Sequence, residues 1–243
     1  MSNSASSAGA PLEQHVDDLV VANRVLAKYN VLDGFGHVSI RHPERPGHFL
    51  LSRSLAPELV TAADIMEFDA NSDAVGGDTR TPYLERYIHG EIYRARPDVN
   101  AVVHSHSPSV IPFAGSSVRL RPIYHMAGFL SGGAPVFDIR CCFGSTDLLV
   151  RCREHGEELA KTLGQQNVSL MRGHGFVAVG ADVRIAVYRA MYTETNAALQ
   201  QKAIGLGGEI TYLSEEEAAK ADAMMAGVMF RPWELWKKKA MEG

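Results

Sequence analysis

Val102-Val103-His104-Ser105-His106-Ser107-Pro108 is an apolar run that ends in two histidines one residue apart. In an extended strand residues i and i+2 project from the same face, so the imidazoles of His104 and His106 converge on one point. Imidazole is the commonest transition-metal ligand, but a site needs a third and a fourth donor. By itself the pair is equally well two hydrated side chains at a strand end.

Upstream, Thr81-Pro82 reads as a helix start with proline in the first turn, and Leu84, Ile88 and Ile92 repeat every four residues as its buried stripe. Glu85 and His89 share an adjacent face of that helix. Asp98-Val99-Asn100 turns the chain into the strand Ala101 to His104, so the helix can offer Glu85 to the same point. Downstream, Asn167 to Met171 and Phe176 to Val179 read as strands around Arg172-Gly173-His174-Gly175, whose glycines permit unusual φ and close backbone approach. The donor candidates are therefore His104, His106, His174 and Glu85. Three neutral imidazoles with a carboxylate or water form an open catalytic site for zinc, manganese or a similar divalent ion; a structural zinc would more often recruit cysteine.

The remaining segments frame that site. Leu12 to Tyr29 is an amphipathic helix, followed by a glycine-punctuated loop at Asp33 to Gly36. Val38 and Ile40 alternate with Ser39 and Arg41, and His48 to Ser52 supplies an antiparallel partner across the turn Pro43 to Gly47. His37 and His42 order this hairpin, or His37 meets substrate. Ser52-Arg53-Ser54 follows a strand end, where loops carry binding groups, although serines are also ordinary turn residues. Ile65 to Asp69 is a further strand. Ser107 to Phe113 reads as a short helix broken by Pro112, and Arg119 to Met126 is dense in functional side chains, Tyr124 and His125 among them. Arg119 and Arg121 are read as solvated or at a subunit contact. Ala134 to Asp138 is a strand, and Thr146 to Leu163 a helix with Leu148, Leu149, Cys152 and Leu159 inward. Ala181 to Ile204 is a core helix, and Ser214 with Glu217 makes a capping box before a last helix rich in Ala and Met. The aromatics of Phe230 to Trp236 are expected to pack on a neighbour or cover a pocket. Helices alternate with strands while a hairpin opens the sheet, so the expected fold is α/β, a three-layer α/β/α arrangement around a central mixed, mostly antiparallel sheet.

The 243 residues, 46% hydrophobic and 21% charged, can bury a sizeable core. Residues 1–11 are expected to be a disordered tail and 12–243 a single domain with a C-terminal helical extension. A net charge of −4 argues against nonspecific nucleic-acid binding. No apolar run approaches the ~18 residues of a membrane span. Three cysteines without a CxxC pair suit a reducing compartment, and no basic residue precedes Arg24, so a cytoplasmic location is expected.

Taken together, Gly36-His37-Val38-Ser39-Ile40-Arg41, Glu85, Arg96-Pro97-Asp98-Val99-Asn100-Ala101-Val102-Val103-His104-Ser105-His106 and Gly173-His174-Gly175 resemble the class II aldolase/adducin family over roughly residues 12 to 210. Glu85 precedes His104 by 19 residues, as in the family's aldolases. The resemblance implies that His104, His106 and His174 hold one divalent ion per subunit, Mn2+ or Zn2+ with Fe2+ or Co2+ as further candidates. It also implies that Glu85 is a ligand or the acid/base, and that the chain forms a homotetramer or larger assembly with sites at subunit interfaces. Two departures stand out. Where the aldolases grip a phosphate with a Gly-rich turn, this chain has Ser52-Arg53-Ser54-Leu55, and an arginine pairs bidentately with a carboxylate. At the position of the aldolases' catalytic tyrosine stands His125, beside Tyr124.

Both departures suit the family's decarboxylase branch, similar to 3-hydroxy-2-methylpyridine-4,5-dicarboxylate decarboxylase and 3,4-dihydroxyphthalate decarboxylase. The expected function is a carboxy-lyase of aromatic catabolism acting on a hydroxylated aromatic or pyridine carboxylate, with the ion as Lewis acid for the oxygen that takes up the electrons. Arg53 with Ser52 or Ser54 would anchor a second carboxylate, and His125, Tyr124 or Glu85 would return the proton. An aldolase of a non-phosphorylated or carboxylate-bearing substrate is the alternative. A non-catalytic adducin-like binding module is the third reading, opposed by the retention of all three histidines and Glu85.

Overall fold

The computed structural model describes residues 11–242. Its strands are β1 (His37–Arg41), β2 (Phe49–Ser52), β3 (Ile65–Phe68), β4 (Ala101–Ser105), β5 (Val136–Phe137), β6 (Val168–Met171) and β7 (Gly175–Gly180). They form one sheet in the order β3-β2-β1-β4-β7-β6-β5. Every pairing is antiparallel except β5 with β6, which makes the sheet mixed and mostly antiparallel, as expected.

Period-two alternation along the strands builds two cores. Val102, Phe49, Leu51, Val177 and Val179 face one cluster, closed by Ile88 and Ile92 of α2 (Arg86–Ala95) and Leu159 and Leu163 of α5 (Arg153–Leu163). Ala101, Val103, Val38, Ile40, Phe176 and Ala178 face the other, closed by Leu19, Val25 and Leu26 of α1 (Leu12–Lys28) and Ala186, Val187 and Ala190 of α6 (Val183–Leu206). The result is the three-layer α/β/α arrangement. Each fully buried leucine or isoleucine contributes about 1.5–3 kcal/mol relative to an exposed one, so both helical layers are held mainly by these stripes. His104 lies two residues from Val102 and therefore points to the α2/α5 side. Its register partner across β1 is His37.

Four local expectations are corrected. The helix expected from Thr81 begins at Arg86, with Glu85 at its N-cap. Pro82 instead forms a β-bridge with Arg53, the Thr81 carbonyl accepts the Ser54 N–H, and Leu84 is 43% exposed, so the stripe starts at Ile88. The helix expected from Thr146 begins only at Arg153. Leu148 has a φ of 70° and its N–H is taken by the Thr146 hydroxyl, which ends any helical path there. In α3 (Ile111–Ala114) Pro112 lies in the first turn, where its missing N–H costs nothing, so it opens that helix rather than breaking it. A short α4 (Arg140–Phe143) follows β5 where no helix was expected.

The capping box at Ser214 and Glu217 opens α7 (Glu215–Ala226). In α8 (Phe230–Met241) Trp233 and Trp236 are buried, Trp236 against Tyr29 and Tyr192 with ring centroids 6.3 and 6.0 Å away, while Phe230 remains exposed. At the β3 edge, the Arg80 guanidinium donates to the carbonyls of Ala63 and Ile65, and the Val75 N–H donates to the Glu67 carbonyl. The tail expected over residues 1–11 lies outside the described residues except for Pro11, the N-cap of α1. Among the described residues no helix is long and apolar enough to cross a membrane.

Candidate metal centre and active site

His104 and His106 leave the end of β4 on one face, and the turn between β6 and β7 brings His174 back across 68 residues. The Nε2 atoms of His104 and His106 are 3.0 Å apart, and those of His106 and His174 are 3.1 Å apart. Glu85, at the N-terminus of α2, directs Oε2 to within 3.7 Å of His104 Nε2 and 3.4 Å of His174 Nε2. One ligand atom from each of the four residues lies within 4.8 Å of every other.

Backbone groups orient these donors. His104 Nδ1 is 3.2 Å from the Phe176 carbonyl and His174 Nδ1 is 3.0 Å from the Leu148 carbonyl. A carbonyl accepts only, so each Nδ1 carries the hydrogen and each Nε2 turns a lone pair inward. The Val150 N–H donates to Glu85 Oε1 at 2.8 Å, which leaves Oε2 for the centre. Burial, then His174 and His106, pushes His104 well below the usual histidine range. His106 is also lowered, by burial and then by His174, against the opposing pull of Glu85 and Asp33. Neutral lone pairs 3 Å apart repel one another unless a cation lies between them. Three imidazole nitrogens and one carboxylate suit a divalent transition ion, so the residues present fit such a group.

The other expected site residues lie at varying distances from this centre. His37 is 3% exposed, with its ring 5.0 Å from that of His104 and 4.5 Å from that of Tyr83. Ser52 is fully buried beside the Tyr83 phenol, which itself donates to the Leu55 carbonyl. Arg53 donates through Nε to Asp64 Oδ1 at 2.6 Å, and Ser54 is exposed. Tyr124 packs on the opposite side of the sheet with Tyr192, ring centroids 6.2 Å apart, and His125 beside it is exposed. Within one chain the structure does not bring Tyr124 or His125 to the four-residue centre. His42 orders the hairpin turn by accepting the N–H groups of Glu44 and Arg45. Arg121 lies over the Tyr212 ring at 4.1 Å.

Several contributors were not among the expected site residues. Leu148 and Val150 act through backbone groups. Ser39, His89 and Tyr93 form a buried chain leading to His37: His37 Nδ1 is 2.6 Å from His89 Nε2, His89 Nδ1 is 2.6 Å from Ser39 Oγ, and Ser39 Oγ is 2.7 Å from the Tyr93 hydroxyl. Burial pushes His89 down to about 3. Phe35 is 70% exposed with its ring 6.4 Å from that of His106, and only its flanking glycines hinted at a role for that loop.

Comparison with known proteins agrees with this geometry. Residues 17–201 match the family described as class II aldolase and adducin N-terminal domain. The chain is 36% identical over 242 residues to the decarboxylase tropJ of Talaromyces stipitatus, covering 90% of this chain and 91% of that one. It is 32% identical over 235 residues to a 3,4-dihydroxyphthalate decarboxylase of Arthrobacter keyseri, covering 90% of each. Among solved structures, an L-fuculose 1-phosphate aldolase from Glaciozyma antarctica PI12 superposes with a TM-score of 0.80 at 22% identity, over 100% of this chain and 94% of that one. An aldolase II superfamily protein from Pseudomonas syringae does so with 0.79 at 24% identity, over 96% and 94%. These two likenesses are of fold.

Proposed function

Since the chain belongs to the class II aldolase and adducin family and is a carbon–carbon lyase, we propose that it is a divalent-metal-dependent decarboxylase of a hydroxylated aromatic or pyridine carboxylate or dicarboxylate. The observation that carries this reading is the convergence of three imidazole Nε2 atoms and Glu85 Oε2 in a chain whose relatives include named decarboxylases along nine-tenths of its length.

His104, His106 and His174 would hold the ion, Mn2+ or Zn2+ with Fe2+ or Co2+ as alternatives. When bound it supplies a Lewis acid for the ring oxygen beside the breaking bond. The carboxyl carbon leaves as CO2, the bonding pair stays with the ring carbon, and a proton must reach that carbon. Glu85 is placed to carry that proton on Oε2, because Oε1 is already occupied by the Val150 N–H. Arg53, held at one edge by Asp64, would present its guanidinium to a second carboxylate, with Ser54 exposed beside it and Ser52 behind. His37 would meet a substrate oxygen. Tyr124 and His125 enter this scheme as proton donors only from a neighbouring subunit, as a homotetramer or a larger homo-oligomer would allow. The partner is a small-molecule carboxylate rather than nucleic acid, against which the net charge of −4 argues.

The fold shared with L-fuculose phosphate aldolases favours one second reading, an aldolase of a carboxylate-bearing substrate. Both reactions leave an electron pair on carbon, so the same centre serves either. Incubating metal-loaded protein with a panel of hydroxybenzene and hydroxypyridine carboxylates separates them: CO2 release supports the decarboxylase, and aldehyde release without CO2 replaces it by the aldolase. A purified protein that takes up no divalent ion overturns both.

A further inference from the structure

The chain Tyr93–Ser39–His89–His37 is fully internal: Tyr93 is 6% exposed, Ser39 and His89 are 0%, and His37 is 3%. Its links of 2.7, 2.6 and 2.6 Å are all hydrogen bonds, and each needs one hydrogen. Neutral His89 has one hydrogen, so it donates either to Ser39 or to His37. If His37 donates from Nδ1 to His89, then His89 donates to Ser39, and the two hydroxyl hydrogens of Ser39 and Tyr93 share one link between them. One of the two is then stranded, because neither hydroxyl meets a further acceptor among the described residues. A buried stranded donor costs about 1–3 kcal/mol. In the opposite direction Tyr93 donates to Ser39, Ser39 to His89 Nδ1, and His89 Nε2–H to His37 Nδ1. Every hydrogen within the relay then has an acceptor, and the one left over is on His37 Nε2, on the ring that lies beside that of His104.

We infer that this relay fixes His37 as the neutral tautomer with its hydrogen on Nε2, and that His37 is thereby a committed hydrogen-bond donor to an anionic oxygen of the substrate at the edge of the metal centre. The location follows from the sheet. His37 is the register partner of His104, both residues project from the α2/α5 face, and their rings are 5.0 Å apart. Nε2 lies across the ring from Nδ1, so its hydrogen points away from His89. The depressed value of His89 means that it has one hydrogen to give and no second one with which to reverse the relay. A neutral imidazole suits this role because it stabilises negative charge that grows on oxygen without neutralising the carboxylate that must leave. Ser39, His89 and Tyr93 are positioning residues, acting only through His37. The identity of the oxygen, a ring hydroxylate or an adjoining carboxylate, rests on the decarboxylase reading; the tautomer does not.

Neutron diffraction on deuterium-exchanged crystals of the zinc-loaded protein reads the tautomer directly. The expected map has deuterium on Nε2 of both His37 and His89, with the Ser39 hydroxyl aimed at His89. Deuterium on His37 Nδ1 overturns the inference whether or not the protein turns over any substrate. Kinetics test the role. His37→Phe is expected to lower kcat by about 100-fold or more with KM changed only a few-fold, and His37→Gln, which returns an N–H near the position of Nε2, to recover about a tenfold part of the loss. Wild-type kcat in a folded His37→Phe variant refutes the donor role. Absence of CO2 release from the wild type refutes the decarboxylase reading instead and leaves the neutron map to judge the tautomer.

Discussion

The carbonyl oxygen of Leu148 lies 3.0 Å from Nδ1 of His174, and Leu148 itself has a φ of 70°. The orientation of one candidate ligand is therefore set by a non-glycine residue in the left-handed region, a conformation costing about 1–3 kcal/mol that the surroundings must impose. Leu148→Gly adopts this φ freely and is expected to keep metal affinity within a few-fold. Leu148→Val, β-branched and ill-suited to positive φ, is expected to lower it by about 10–100-fold, because the carbonyl that fixes the imidazole moves. Competition with a metal-sensitive dye measures both.

His106 is the candidate ligand shared by both close Nε2 pairs. Alanine at this position is expected to abolish metal retention, read by elemental analysis, and turnover with it. Chelator-treated wild type should lose turnover and regain it when the ion is restored. Full activity in verified metal-free protein contradicts the scheme.

Burial holds His89 at about 3 in the folded chain, against about 6.5 when unfolded. Between these values the unfolded state binds one more proton, so stability rises with pH in that window, is fully present above pH 6.5 and falls as pH drops. The slope is about 1.4 kcal/mol per pH unit for one proton. Urea midpoints measured from pH 7 to pH 4 should fall for the wild type and less steeply for His89→Gln; parallel profiles would contradict this origin.

Arg53 bonds to Asp64 through Nε, so its loss should affect binding more than chemistry. Arg53→Lys keeps the charge but loses the planar fork. It is expected to raise KM for a dicarboxylate by about tenfold or more, with kcat within a few-fold, in steady-state CO2 assays. An unchanged KM would remove Arg53 from the binding site.

At Gly175 an added Cβ would collide with the carbonyl oxygen of Ser105, between the strands that carry His104 and follow His174. Gly175→Ala is expected to cost about 2–4 kcal/mol in chemical unfolding, since neither backbone can yield alone. Metal affinity should fall with it.

The sheet was legible because its strands are short apolar runs bounded by turn residues: the HxH pair, the opening hairpin and the glycine-flanked His174 follow from strand geometry and turn chemistry. Glu85 was legible as a donor but not in its setting. Thr81-Pro82 has the local signature of a helix start, and the bridge between Pro82 and Arg53, with the Ser54 N–H on the Thr81 carbonyl, holds it extended. The segment before α5 failed for a similar reason, since apolar spacing around Leu148 and Leu149 suits a helix while the required carbonyl at 148 does not. The relay behind His37 was beyond reach, because Ser39 and Tyr93 are 54 residues apart and nothing local distinguishes a buried serine from a turn serine. Tyr124 and His125 illustrate a different limit: proximity in sequence to a functional patch says nothing about which subunit's centre a side chain serves.

The margins of the sheet constrain how copies of the chain can associate. On the β3 side the outward carbonyls are already capped by Arg80 and Val75, and on the other side β5 offers only two residues. Neither border is a template on which a further strand can grow, which protects the fold against edge-to-edge polymerisation. Any association of copies must then use helices and loops. A substitution that remodels a contact between copies can thus leave β1, β4 and the turn between β6 and β7, which carry His37, His104 and His174, undisturbed.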